Sequence, residues 1–276
     1  MRLIARSISR TAKATLQQEM FSAHVLAAFD QACDLVTPSG DVMAVVTPYI
    51  GDGPLNIVVE AGAGALATVE RDARVELDGS ILRIGRIEIA LEGAPAWEPC
   101  PDWSALRAQL EAITASLPML RAIALRHAPA ESLLTSRDAA SSVILSEAKN
   151  LESGWAGNVT HLQEAALRLA GRGIGLTPAG DDFLAGLMLW AWLAHPTPGP
   201  FCHTLAEVAV PRTTTLSAAF LRAAARGECD ANWHRLLAAL CSASARQLAP
   251  AVQQIVARGA TSGADMLAGF LWLAVG

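Results

Sequence analysis

The stretch from Gly171 to Gly186 reads GRGIGLTPAGDDFLAG, with glycines at 171, 173 and 175, a Thr-Pro pair and two adjacent carboxylates ahead of an apolar run. Residues of these types at this spacing can hold a small polar ligand. The glycines allow positive φ or close backbone approach, and Thr177-Pro178 predicts an N-cap followed by proline in the first helical turn. A helix starting there aims free N–H groups and its positive dipole end at whatever the loop surrounds. Asp181 and Asp182 would repel a bare phosphate, so the pair implies something cationic or rich in N–H donors. The two acids could serve the helix dipole, ligate a hard cation such as Mg²⁺, or accept from an amide, urea or amine substrate.

The pattern returns near the C-terminus. Gly263, Asp265, Leu267, Ala268 and Gly269 repeat Gly180, Asp182, Leu184, Ala185 and Gly186 at an offset of 265 − 182 = 83 residues. Two related helix starts are therefore expected, related by a local pseudo-twofold and facing one pocket. Asp181, Asp182 and Asp265 are the candidate catalytic residues, and Gly173, Gly175, Thr177, Gly180, Ser262 and Gly263 the candidate substrate contacts. A second constellation, Pro211-Arg212-Thr213-Thr214-Thr215-Leu216-Ser217, sets hydroxyls and an arginine before another apolar run. Arg212, Thr213, Thr214 and Ser217 read equally as a phosphate or carboxylate cradle and as an N-cap with spare threonines. The residues point to no certain cofactor; Mg²⁺ on Asp181 and Asp182 is the candidate metal.

The elements that must position these residues fall into two patterns. From about residue 23 to 91, short β-rich runs alternate with turn signals, and Asp78-Gly79 marks a hairpin. These predict an antiparallel sheet or small barrel. After Pro99 the periodicity becomes helical: one helix from Trp103 to about Leu125, kinked or broken near Pro118, then helices at about 160–170, 179–194, 201–209, 214–226, 231–246, 248–257 and 263–274. Thr160 to Gln163 offers a capping box for the second of these, with Gly171 as its stop. The expected class is α+β, with a β-rich domain over residues 1–98 and a larger helical domain over 99–276. The piece 135–156 fits neither pattern, resembles a translated dispersed DNA repeat, and predicts a surface loop with no catalytic duty.

Composition bounds the function. The chain has 276 residues, is 52% hydrophobic and carries a formal net charge of −5, so no basic field argues for nucleic acid or an anionic membrane. The apolar runs 183–194 and 266–275 fall short of the roughly 20 residues that span a bilayer. The basic, hydroxyl-rich N-terminus lacks a sustained apolar core, so no secretory signal is expected and the cytoplasm is the default. Five cysteines, with no CxxC pair, suggest neither disulfides nor zinc. His161, just before the glycine loop, reads more readily as surface than as site.

The GxGxGLTPxGDDFLxG motif, the following TTxxS segment and the terminal SGxDxLxG resemble the AllH-like family, whose name-giving member is a subunit of oxamate carbamoyltransferase. The resemblance implies a multi-subunit enzyme of purine and allantoin breakdown that moves a carbamoyl group between carbamoyl phosphate and oxamate, giving oxalurate and phosphate. It implies separately encoded partner subunits, and homo-oligomers are compatible with it. This chain departs from the motif at Ala179, where serine is common, and at 259–262, where a histidine and a Ser-Ser pair are more typical. The leading expectation is a carbamoyltransferase-type subunit that binds an anionic small molecule at glycine-rich helix starts, with Asp182 and Asp265 orienting nitrogen donors or a cation. The alternatives are a non-catalytic assembly or regulatory subunit and a metal-dependent hydrolase.

Overall fold

The computed structural model describes residues 1–136, 139–242 and 244–274, without the side chains of 139 and 140. It divides into two compact units, Met1–Pro99 and Cys100–Gly276, so the fold is α+β.

The first unit contains β1 (Arg2–Ser9), α1 (Arg10–Leu16), β2 (Ser22–Ala28), β3 (Ala32–Val36), β4 (Val42–Val46), β5 (Asn56–Val59), β6 (Arg74–Asp78), β7 (Ile81–Ile84), β8 (Ile87–Ala90) and the short β9 (Ala96–Trp97). The strands run β5-β4-β3-β2-β6-β7-β8-β1, and β1 pairs back onto β5, closing an eight-stranded barrel with β9 appended to β1. Closure removes the sheet edges that would otherwise invite pairing with other chains. Alternation sends Cys33, Leu35, Met43, Val45, Ile57 and Ile89 into the barrel core. Ala44, Val46 and Val58 alternate with three of these and are buried on the opposite face. That two-sided burial explains why β4 and residues 57–59 of β5 read as unbroken apolar runs.

The sequence pattern anticipated β2 to β8 but not β1. Its residues alternate exposed and buried, yet both main partners, β5 and β8, lie far along the chain. The sheet is also mixed, since β1–β8 and β4–β5 are parallel. In the hairpin, Asp78 pairs with Ile81, so the turn residues are Gly79, at φ +59°, and Ser80.

The second unit contains α2 (Trp103–Arg107), α3 (Leu110–His127), α4 (Ala139–Ala148), α5 (Asn150–Trp155), α6 (Val159–Leu169), α7 (Ala179–Ala194), α8 (Pro198–Ala209), α9 (Thr215–Ala225), α10 (Ala231–Cys241), α11 (Ala245–Val256) and α12 (Ser262–Trp272). Helix α7 is buried on nearly all sides, as a helix that is apolar all round beyond its two first-turn aspartates must be. It pairs with α12, and the two form a spine between two cores. One core gathers α6, α8 and α9; the other gathers α3, α10 and α11. Among the described residues no helix is long and apolar enough to cross a membrane.

Three local expectations differ from what forms. The first predicted helix breaks at 108–109, and Pro118 sits inside an uninterrupted α3. Thr114 and Pro118 both face outward, so the carbonyl that proline leaves without a donor is turned toward solvent. Helix α6 is capped by Asn158, whose side chain accepts from the His161 N–H at 3.2 Å, rather than by Thr160. The segment 135–156 is not a surface loop: it forms α4 and α5, with Ile144, Ala148 and Leu151 buried, while 137 and 138 lie outside the described residues. Trp155 at its end meets His195 and Phe201 edge-on at 4.9 and 5.4 Å. Residues 243 and 275, within the predicted 231–246 helix and the 266–275 apolar run, also lie outside the described residues.

Candidate functional site

At the start of α7 the Pro178 carbonyl accepts from the N–H groups of Asp181 and Asp182, at 2.9 and 3.1 Å. The N-cap is thus Pro178, and Thr177 stands one residue outside the helix. Proline has no side-chain acceptor to offer, so the Thr177 hydroxyl is left for another task. It lies 2.9 Å from the Ser262 hydroxyl at the start of α12. The two helix starts therefore adjoin.

Asp181 faces the other way and is fully committed. One carboxylate oxygen accepts from the Gly171 N–H at 2.9 Å; the other accepts from the Ser217 hydroxyl at 2.9 Å and from the Thr213 hydroxyl. Thr214 caps α9, accepting from the Ser217 N–H at 3.1 Å, and donates its own hydroxyl to the Leu176 carbonyl. Thr213, Thr214 and Ser217 thus serve the protein's own carboxylate and loop. Together they latch α9 to the glycine loop. Arg212 has an exposed side chain, and its backbone carbonyl packs against Gly171. Gly173 holds φ +121°, and a β-carbon there would meet the Ala179 nitrogen at 2.6 Å. Gly175 holds φ +94° with open space around it, and Ile174 at the loop tip is 95% exposed.

The repeat read from the sequence is a pseudo-twofold in space. A β-carbon at Gly186 would collide with the Met266 carbonyl, and one at Gly269 with the Phe183 carbonyl. Under the 83-residue offset, Gly186 corresponds to Gly269 and Phe183 to Met266, so the second contact is the first with its partners exchanged. Each glycine lets the backbone of the opposing helix approach closely. The correspondence extends upstream. Gly180 packs on the Leu169 carbonyl and Arg172, while Gly263 packs on the Ile255 carbonyl and Arg258. The Gly180 N–H donates to the Arg172 carbonyl at 2.8 Å and the Gly263 N–H to the Arg258 carbonyl at 3.2 Å. Helices α6–α7 and α11–α12 are two copies of one helix–loop–helix. The second loop is shorter by three residues: six lie between Gly173 and Gly180, three between Gly259 and Gly263.

Asp182 and Asp265 occupy equivalent places beneath this junction and are 8% and 1% exposed. Burial pushes the Asp182 carboxyl well above its ordinary range; the Ser262 hydroxyl opposes this, the nearby Asp265 and Asp181 charges reinforce it, and Thr177 again opposes it. Burial likewise raises Asp265, against hydrogen bonds from the Leu133 N–H and Thr261. Leu133 donates to Oδ1 of Asp265 at 2.6 Å across 132 residues, a contact no local signal in the sequence indicates. Oδ2 of each aspartate is buried without a hydrogen-bond partner in the described residues. Two such oxygens in like-charged neighbours favour retention of a proton by the pair. What they offer a ligand is hydrogen bonding from a buried carboxyl, charged or neutral.

Asp181 and Asp182 engage different partners, and among the described residues no group of three or more His, Cys, Asp or Glu side chains is placed to hold a metal ion. His161 pairs with the Ser153 hydroxyl at 2.9 Å on the surface. The five cysteines are free, and burial raises the Cys33 thiol to about 12.

A closed barrel followed by a helical unit built on a duplicated helix–loop–helix, with a buried carboxyl at each copy's second helix start, defines the class of chain. No solved structure matches it. Two family descriptions do: the AllH family N-terminal domain over residues 4–96, and oxamate carbamoyltransferase subunit AllH over residues 169–274. The chain belongs to the AllH family. The first match covers the barrel strands β2 to β8 and most of β1; the second begins at the end of α6 and takes in both copies of the Gly-x-Asp helix start. The description as a subunit implies further chains in the enzyme.

Proposed function

We propose that this chain is the subunit of a carbamoyltransferase that holds the amide end of a small anionic substrate at the Asp182–Asp265 pair. The observation that carries the reading is the pair of buried, unpartnered carboxyl oxygens at two adjoining helix starts. Oxamate, oxalurate and carbamoyl phosphate each present an N–H₂ group, whose two donors need two acceptors in a site poor in water. The Thr177 and Ser262 hydroxyls lie at the same junction, where they can reach the carbonyl or carboxylate of the same ligand. The free N–H groups of the exposed glycine loop add donors without adding charge.

In carbamoyl transfer the oxamate nitrogen bonds to the carbamoyl carbon, the bond from that carbon to the phosphate oxygen breaks, and the nitrogen gives up a proton. A carboxylate made more basic by burial is suited to take that proton, and Asp182 is the group assigned to it. Asp265 orients the amide. Most of the acceleration is then positioning. The test is the transfer rate of the enzyme assembled with its other subunits. Asp182→Asn is expected to lower kcat about 10²-fold, and an unchanged rate would contradict the assignment.

One observation favours a second reading. Ile174 stands 95% exposed at the tip of a loop whose ends are latched by Asp181 and Thr214, as an apolar anchor for a partner subunit would. If the chain only assembles the enzyme, Ile174→Asp abolishes association in size-exclusion chromatography while Asp182→Asn leaves the rate intact.

A further inference from the structure

Apart from the carboxyl pair, the helical unit contains a cavity of about 320 Å³. It is lined by Arg121 and Leu125 of α3, Leu133, Leu145 of α4, and Leu271 and Trp272 of α12. We propose that this cavity is a second ligand site, for a small carboxylic acid with an apolar body.

The volume sits at the low end of ligand pockets, which run from about 300 to 1,000 Å³. The lining has five leucines, and Arg121 is its one charged side chain. The Arg121 side chain is exposed, which puts it at the mouth, and no acid pairs with it among the described residues. The other polar side chain is Trp272, whose indole N–H lies fully buried behind the lining without an acceptor in the described residues. Both polar groups donate, and one is a cation. Their complement is a carboxylate, and the complement of the leucine wall is a hydrocarbon or ring.

The pseudo-twofold supplies an internal comparison. On α7 the positions equivalent to Ala268, Leu271 and Trp272 are Ala185, Met188 and Leu189, at the same offset of 83. There the face is sealed: Met188 and Leu189 are 0% exposed, and the Cys202 thiol of α8 lies on the Met188 carbonyl at 3.6 Å. Around the α12 copy the described residues leave the cavity, with Leu271 6% exposed. The duplicated scaffold is thus closed in one half and open in the other. Leu133 links the void to the carboxyl pair, because it lines the cavity while its N–H holds Asp265.

The test uses the full chain with benzoate and benzyl alcohol as probes, followed by calorimetric titration and by the Trp272 indole N–H resonance, identified by its loss in Trp272→Phe. Benzoate should bind about tenfold more tightly than the alcohol and shift that resonance. Arg121→Gln, a surface change, should abolish the preference for the acid, and Ala268→Leu, which fills the cavity, should abolish binding of both probes. Failure of benzoate to bind, or binding that neither substitution weakens, overturns the proposal.

Discussion

The Thr177 hydroxyl lies 2.9 Å from the Ser262 hydroxyl, one donating to the other, and the two together oppose the upward shift that burial gives the Asp182 carboxyl. Asp182 is therefore served by one residue from its own repeat and one from the other. The pseudo-twofold equivalent of Ser262 is Ala179, which has no hydroxyl to give Asp265. Among the described residues Oδ2 is unpartnered in both aspartates, so what Ala179 withholds is only a cross-repeat donor for Asp265.

Ala179→Ser should supply that donor and stabilise the chain by about 1 kcal/mol in urea denaturation. In an Asp265→Ala background the same substitution should gain nothing. An equal gain in both backgrounds would mean the serine acts elsewhere.

Asp182 and Asp265 both titrate above the usual carboxylate range. Between about pH 4, where an unfolded aspartate ionises, and their raised values, the folded chain binds more protons than the unfolded one. The stability they contribute is complete at low pH and is lost as pH rises through that window. Asp182→Asn, which fixes the uncharged form, should flatten the decline above about pH 4 and leave the variant more stable than wild type at the alkaline end of the profile. Parallel pH profiles for the two proteins would show that the fold does not raise the Asp182 carboxyl.

Gly186→Ala and Gly269→Ala should be equally damaging, since each places a methyl group on a backbone carbonyl of the opposing helix. Neither carbonyl can swing away as a side chain could. A loss of about 3 kcal/mol or more is expected for either, at or beyond the upper end of ordinary overpacking. Thermal unfolding checks it, and a mild effect at one site only would break the equivalence.

Asp181→Ala should strand the Gly171 N–H and the Thr213 and Ser217 hydroxyls together. A cost of about 2–4 kcal/mol is expected, with faster hydrogen exchange at residues 171–176 as the sign that the loop has lost its latch.

What was legible in the sequence was whatever has a local cause. Alternation marked the middle barrel strands, and the Gly-x-Asp-x-Leu-Ala-Gly recurrence marked two equivalent helix starts. What escaped depends on residues far apart in the chain. Strand β1 is fixed by β5 and β8, and α4 and α5 by the core they enter rather than by their own periodicity. Thr213 and Ser217 have the composition of an anion cradle, and the carboxylate they hold is Asp181, 32 and 36 residues earlier. Adjacent aspartates look alike in a sequence. The helix turns one into a buried latch and directs the other toward the second copy.

The most direct measurement is calorimetric titration of the chain with oxamate, oxalurate and carbamoyl phosphate, for wild type, Asp182→Asn and Asp265→Asn. The account predicts that wild type binds at least one of these amides and that each substitution weakens it about tenfold or more. Binding that both substitutions leave unchanged, or no binding of any amide by wild type, would contradict it.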